Sequence, residues 1–419
     1  MAVSSLPLSF IPYCMTHDPG NQRIYVGGYT KVGANYSAAI AAIDTSTRPM
    51  TILDTHFYDT GVSPYNYVMG LTYYNGYLYA GGGKPNPYRA TAFVRKIQAD
   101  NLSNVVWTYT KSINPSESYH IFTDFFIEGS YVYGVGFYSI SGGAGNAGWH
   151  VRLDESTGAE QWINPGLYSG CYSVMDAGTY LHVFGSGGGL RTIWRVTKTT
   201  GSYLTLGDPG ARRYYSFNWP CERSGKYYVP GRWDGVPGGT YTKMGLAKID
   251  KANLSAGSMT FDWQEARDFS PGAPYSYQLS FAAVLVPETT PPYNHGILLA
   301  GSYSGTATTY EKTGIYRYRA DDVGGKVLAW STSATDGPMF YTCLKYDNVN
   351  AELAYYFFIS RYIYGPTSYT GIFEVRKLSD GALSNWEDIP ISGPTMDQIM
   401  RGGKWFNGGA FQGFWLGWR

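Results

Sequence analysis

The feature that most restricts what this chain can fold into is a repeat. An apolar strand, a tight polar or glycine turn, and a second strand of aromatic and β-branched residues ending in glycine recur along its length. The pattern reads Arg-Ile-Tyr-Val-Gly-Gly at 23–28, Tyr-Leu-Tyr-Ala-Gly-Gly at 77–82 and Tyr-Val-Tyr-Gly-Val-Gly at 131–136. Weaker copies follow at 180–185, 227–231, 297–301, 355–360 and 414–417. With Tyr25, Tyr79, Tyr133, His182, Tyr228, Leu299, Phe357 and Trp415 as markers, the steps are 54, 54, 49, 46, 71, 58 and 58 residues. A strand-built period of that size is one blade of a β-propeller. Composition points the same way: Tyr 40, Gly 53 and Trp 12 in 419 residues, with 15% charged, favour strands and turns over helix.

A second strand pair follows most of these hairpins. Its first strand sets a basic residue beside apolar ones, as in Phe93-Val-Arg-Lys-Ile, Val151-Arg-Leu-Asp, Leu246-Ala-Lys-Ile-Asp, Ile315-Tyr-Arg-Tyr-Arg and Phe373-Glu-Val-Arg-Lys-Leu. A glycine turn and a tryptophan close it, at Trp107, Trp162, Trp263, Trp330 and Trp386. One indole per repeat at one place is what packing between twisted sheets requires, so these rings are expected in the core rather than in a ligand cage.

Eight hairpins of the first type and seven pairs of the second predict an all-β chain, one β-propeller domain over 1–419. It has seven full four-stranded repeats plus a terminal half repeat at 393–419. If the half repeat forms a truncated blade patched by residues 3–8, the ring has eight blades. If it lies outside, seven blades close alone and the aromatic stretch 404–419 is a docking hairpin. Its regular spacing favours eight.

The stretch Val151-Arg-Leu-Asp-Glu-Ser-Thr-Gly-Ala-Glu-Gln-Trp162 resembles the tryptophan-docking repeat of quinoprotein-like (PQQ-like) propellers, in which an Asp, a Thr-Gly turn and a Trp recur in each blade. Lys377 to Trp386 and Ile249 to Gly257 match in part. The resemblance implies an architecture. The quinone enzymes of that family use an adjacent cysteine pair and a calcium site, neither of which this sequence carries, so it implies no quinone cofactor here.

Other chemistry finds little footing. Cys14, Cys171, Cys221 and Cys343 form no C-x-x-C pair, and Cys14 and Cys171 each stand eleven residues before a repeat marker, which reads as buried thiols rather than a disulfide. The histidines His17, His56, His120, His150, His182 and His295 have no metal-ligand spacing. Glycine runs at 142–145 and 185–189 lack the helix and the Lys-Ser/Thr of a phosphate cradle. The order Asp262, Glu265, Asp268 is not that of a calcium loop. No catalytic residue, metal or cofactor is therefore expected. The enzyme alternative is a propeller glycosidase or lyase drawing on loop carboxylates from several blades, with Glu117, Asp234, Asp268, Glu311 and Asp336 as candidates.

What remains is a surface. In a propeller blade the connection between second and third strands and the connection to the next blade leave from one face. On this chain those segments carry Tyr36, Tyr65, Tyr67, Tyr88 and Arg89, then Arg212, Arg213, Trp233, Asp234 and Tyr241, then Tyr275, Tyr277, Tyr310, Tyr364 and Tyr369. Tyr and Trp among Ser, Gly and Asn give broad amphipathic contact at low entropy cost, the composition of a paratope. A glycan, a protein receptor or other particle proteins are the expected partners. A net charge of +1 without a basic run argues against nucleic acid, and no apolar run is long enough for a bilayer. Sparse charge and abundant Tyr suit work outside cells, while the start carries no export signal. Both fit a virion spike, tail or decoration protein, with a cell-surface module or a cytoplasmic interaction scaffold as the alternatives.

Overall fold

The computed structural model describes residues 5–377 and Ser379, except 19, 33–34, 47–49, 59–65, 85–90, 113–119, 140–145, 168–169, 188–189, 207–213, 218, 235–241, 268–277, 287, 289–290, 304–311, 323–324, 335–343, 347–355 and 365–368. Among these residues the chain is strand throughout, apart from one short helix, Lys251–Ala256.

Each of the first six repeats is an antiparallel run of strands in sequence order, and the second and third are joined into one eight-stranded sheet where Ile121 pairs with Gly83. The first is Ile11–Asp18, Arg23–Val32, Asn35–Asp44, Thr51–Tyr58, and the second is Tyr67–Tyr74, Tyr77–Lys84, Thr91–Gln98, Val105–Lys111. The third is His120–Glu128, Tyr131–Ser139, Asn146–Asp154, Glu160–Leu167, and the fourth is Gly170–Ala177, Tyr180–Gly187, Leu190–Thr197, Tyr203–Leu206. In the fifth, Tyr214–Phe217 and Cys221–Arg223 share the first position before Lys226–Asp234, Thr242–Asp250 and Phe261–Arg267. The sixth is Gln278–Val286, His295–Tyr303, Lys312–Ala320, Lys326–Ala334.

The seventh sheet is built differently. Leu344–Tyr346, Tyr356–Tyr364 and Tyr369–Lys377 supply three strands, and the outer strand is Ser5–Leu8 from the other end of the chain, with Ser5 opposite Glu374 and Leu8 opposite Gly371. The first strand of sheet one lies beside Tyr356–Tyr364 and Tyr369–Lys377, so the first and seventh sheets are direct neighbours. Seven sheets follow one another among the described residues, and the N-terminal strand Ser5–Leu8 lies on the seventh. The half repeat at 393–419 and Trp386 lie outside the described residues.

Period-two alternation builds the seams. On strand Arg23–Val32, Ile24 and Val26 pack in a cluster with Leu8 and Phe10, while Tyr25 faces the next sheet among Val68, Leu71 and Leu78. On strand Tyr77–Lys84 the roles recur one seam on: Leu78 and Ala80 face sheet one, and Tyr79 packs with Phe122, Phe125 and Trp149 of sheet three. Inner strands such as Ile11–Asp18 and Thr91–Gln98 are covered on both faces, and each fully buried large side chain contributes about 1.5–3 kcal/mol.

The glycine that ends the repeat has a definite cause. Each first strand carries a bulge at the same place, between Pro12 and Cys14, Val68 and Gly70, Phe122 and Asp124, and Cys171 and Ser173. The bulge tips a carbonyl across the second strand, where Gly82 and Gly136 lie; a Cβ there would stand 1.7 Å from the Tyr67 oxygen and 1.9 Å from that of Ile121. Counting back from the markers misplaced one cysteine. Four residues join the first two strands of sheet one and two join those of sheet four. Cys171 therefore pairs with Gly185 ahead of its bulge, while Cys14 pairs with Gly27 behind its own, at the place of Ser173. Both thiols are buried and outside any disulfide, Cys14 Sγ–H donates to the Val68 carbonyl at 3.7 Å, and burial pushes the Cys171 thiol well up. Cys221 is free and partly buried, and Cys343 lies outside the described residues.

Candidate functional site

Strand order divides the ring into two ends. At one end lie the turns within hairpins and those between third and fourth strands. These turns lock each sheet to its neighbour. Trp107 Nε1–H donates to the Glu155 carbonyl at 2.9 Å, and Trp162 Nε1–H donates to the Lys198 carbonyl at 3.2 Å, each acceptor lying in the next sheet's turn. The glycine of that turn lies flat on the indole: a Cβ on Gly158 would meet Trp107 at 2.7 Å, and one on Gly201 would meet Trp162 at 2.8 Å.

The basic residue of the repeat acts at the same place. Lys96 lies opposite Trp107, Arg152 opposite Trp162, and Lys248 opposite Trp263. Each reaches a carbonyl of the next turn: Lys96 to Glu155 at 3.4 Å, Arg152 to Lys198 at 3.3 Å, Lys248 to Asp322 at 3.3 Å. In the fourth sheet, where Leu204 replaces the tryptophan, Arg195 still donates to the Ser255 carbonyl at 2.5 Å. Arg152 lies over the Tyr131 ring, 3.4 Å from its centroid. In the second seam Glu155 adds its carboxylate, which accepts from both the Tyr79 hydroxyl and Lys96 Nζ. These cations and rings are the joints of the ring. Trp107→Phe and Trp162→Phe should each lower the urea unfolding free energy by about 1–2 kcal/mol through the lost hydrogen bond and packing. Trp263→Phe should cost less, because its Nε1–H has no acceptor among the described residues.

The other end carries the connections singled out for recognition. Strand pairing brings the flanks of all of them to this one end: Lys31 opposite Tyr36, Trp233 opposite Lys243, Asp234 opposite Thr242, and Tyr364 opposite Tyr369. Two of the candidate side chains are described. Tyr67 is 2% exposed, its ring edge-on to Tyr13 at 5.9 Å, so it packs in the seam and offers no contact surface. Tyr36 is half-buried over Tyr29 at 5.1 Å and forms the outer layer of the same aromatic stack. The periodicity could have flagged Tyr67, which opens an apolar first strand. Trp233, Asp234, Tyr364 and Tyr369 are placed at strand ends by their backbone. Tyr65, Tyr88, Arg89, Arg212, Arg213, Tyr241, Tyr275, Tyr277 and Tyr310 lie outside the described residues, as do the carboxylates Glu117, Asp268, Glu311 and Asp336.

Among the described residues no group of three His, Cys, Asp or Glu is placed to hold a metal, and no helix is long and apolar enough to cross a membrane. Three histidines lie buried at successive seams. His150 Nε2 is 2.8 Å from the Gly201 carbonyl, His182 Nδ1 is 3.1 Å from the Tyr227 hydroxyl, and His295 Nε2 is 2.8 Å from the Tyr228 hydroxyl. Burial presses all three pKa values down to about 4.

A succession of antiparallel sheets, each docked on the next through turns and tryptophans, is a β-propeller. The sequence matches no protein-family profile and no curated protein. Among solved structures the chain is similar to a Lactobacillus plantarum protein at 12% identity and a TM-score of 0.53, covering 92% of this chain and 99% of that one. It is also similar to the periplasmic gluconolactonase of Pseudomonas aeruginosa, at 11% identity and TM-score 0.48 over 78% of this chain and 86% of that one. The quinohemoprotein alcohol dehydrogenase of Comamonas testosteroni gives 11% identity and 0.47 over 91% and 68%. At such identities the likeness is to the fold alone.

Proposed function

We propose that this chain is a non-catalytic recognition propeller that presents its Tyr-, Trp- and Arg-rich loop end to a glycan or protein receptor. The observation that carries the reading is the division of labour between the ends. One is taken up by tryptophans, cations and turns that join sheet to sheet, while the strand ends leading into the candidate segments gather at the other. Rings on a rigid scaffold lose little entropy on contact, which is how a neutral surface gains affinity for sugars and protein faces. A display role on a virion, as spike, tail or decoration protein, or on a cell surface suits this composition.

A glycan array scored for both retention and cleavage tests the reading. Retention without cleavage, reduced at least tenfold by Trp233→Ala with Tyr364→Ala at unchanged melting temperature, is the expected result. Cleavage of any retained glycan would replace this reading with that of a carbohydrate-active enzyme. A chain ending at residue 392 separates the two possible contacts: it should keep the fold and the glycan retention, and binding lost with those residues alone would move the contact to 393–419.

A further inference from the structure

At the joint end, between sheets four and five, one serine stands apart from the docking pattern. The usual turn is replaced there by the helix Lys251–Ala256, capped by Asp250, whose side chain accepts from Asn253 N–H, and ended by Gly257 at φ 96°. The insertion brings Ser255 to the mouth of the seam, partly exposed, above a fully buried imidazole. Ser255 Oγ is 3.4 Å from His182 Nε2.

The tautomer of that imidazole follows from its neighbours. The Tyr227 hydroxyl donates to the Asp176 carbonyl at 3.2 Å, which leaves its oxygen to accept from His182 Nδ1–H at 3.1 Å. Nε2 is then the unprotonated nitrogen, and it faces the serine hydroxyl. Arg195 Nη1 donates to the Ser255 carbonyl at 2.5 Å and so holds the backbone of the serine. These are the parts of an activated nucleophile: a hydroxyl, a base with its lone pair directed at it, and a group that fixes the base.

We propose that Ser255 is a nucleophilic serine, with His182 as its base and Tyr227 as a positioning residue, that reacts with acyl or phosphonyl groups bearing a good leaving group. This is independent of the loop-end reading, since it lies at the opposite end of the ring. With a fluorophosphonate, Oγ bonds to phosphorus as its proton passes to His182 Nε2. The P–F bond breaks, fluoride leaves, and the imidazolium returns its proton to solvent. With an aryl ester the same transfer gives an acyl-serine, and the phenol leaves.

The charges around the imidazole explain the demand for a good leaving group. Burial, then Lys251 and Arg195, hold the His182 pKa down to about 4, with the carboxylate of Asp176 opposing them. A base that weak takes a proton only when little charge must build up before the leaving group departs. It also stays neutral across the ordinary range, so the reaction rate should be flat from pH 8 to about pH 5.5.

The test uses the full chain and a fluorophosphonate probe, with the adduct mapped by peptide mass spectrometry. A single adduct is expected on Ser255, absent in Ser255→Ala and slowed about 100-fold or more in His182→Gln. Tyr227→Phe should slow it less and by the same factor at every pH, since the lost hydroxyl no longer selects the Nδ1–H tautomer and tautomer exchange takes up no proton. Melting curves separate chemistry from folding for the two buried variants, while Ser255→Ala, at a partly exposed position, keeps the fold. A folded wild-type chain without an adduct on Ser255 would overturn the proposal, as would labelling that persists at full rate in a folded His182→Gln variant.

Discussion

Replacing Gly82 by alanine is expected to cost at least about 4 kcal/mol, far more than one methyl group added at an open position. The new Cβ would stand 1.7 Å from the Tyr67 carbonyl oxygen and 2.9 Å from its carbon, and these are backbone atoms of a strand fixed on both sides. Relief would need the bulge at Met69 to unwind, which would pull the first strand of sheet two out of register with its partner. The comparison that isolates the cause is Gly76→Ala. Gly76 sits at φ +81° with nothing within 4 Å of its Cβ position, so only the left-handed backbone is strained, at about 1–2 kcal/mol. Urea unfolding of both variants decides the matter. Equal losses would mean that the bulge yields and that the repeat glycine is only a turn-former's habit.

Acid should weaken the ring well before its carboxylates are protonated. His150, His182 and His295 titrate near 6.5 when unfolded and near 4 when folded. Between those values the unfolded chain binds protons that the folded one refuses, so stability is complete above pH 6.5 and falls as pH drops toward 4. A shift of that size is worth roughly 3 kcal/mol per histidine at the low end of the window. The carboxylates Glu155, Asp176 and Asp250 have lowered values, so their contribution is lost only below the ordinary carboxylate range. The urea midpoint should therefore fall steadily from pH 7 to pH 5, where the histidines alone act. The triple variant His150→Gln, His182→Gln, His295→Gln should flatten that slope, and a midpoint unchanged in wild type across the interval would show that the seams admit the charge.

Much of the fold was legible because each level of the sequence repeats one instruction. The glycine-terminated hairpin, the basic third strand and the tryptophan after a glycine turn all recur at blade spacing, and all three meet at a seam. The resemblance to the tryptophan-docking repeat on residues 151–162 was correct in its physical content, since Gly158 packs under Trp107 and Trp162 donates to the next turn. The roles of the cations were not legible. Lys96, Arg152 and Lys248 read as residues of half-exposed strands, and only the approach of a turn 46 to 74 residues away shows that they serve its carbonyls. The serine and histidine of the fourth seam were missed for the same reason: they are 73 residues apart, and no local motif joins them.

Local sequence determined what the chain forms within one repeat: strand, turn, alternation and the demand for glycine opposite a bulge. These depend on contacts between residues a few positions apart, and they are written again in every blade. The tertiary structure decided how the repeats end. The sequence offered residues 3–8 as a patch on the half repeat, and Ser5–Leu8 pairs with Tyr369–Lys377 as the outer strand of the seventh sheet. That pairing joins the start of the chain to its last described strand, which no pattern within one repeat encodes. Tyr67 was decided in the same way. Its neighbours in sequence mark it as a loop-end tyrosine, yet the ring of Tyr13 from the preceding sheet closes over it, because a twisted sheet leaves a gap there that only a large side chain fills.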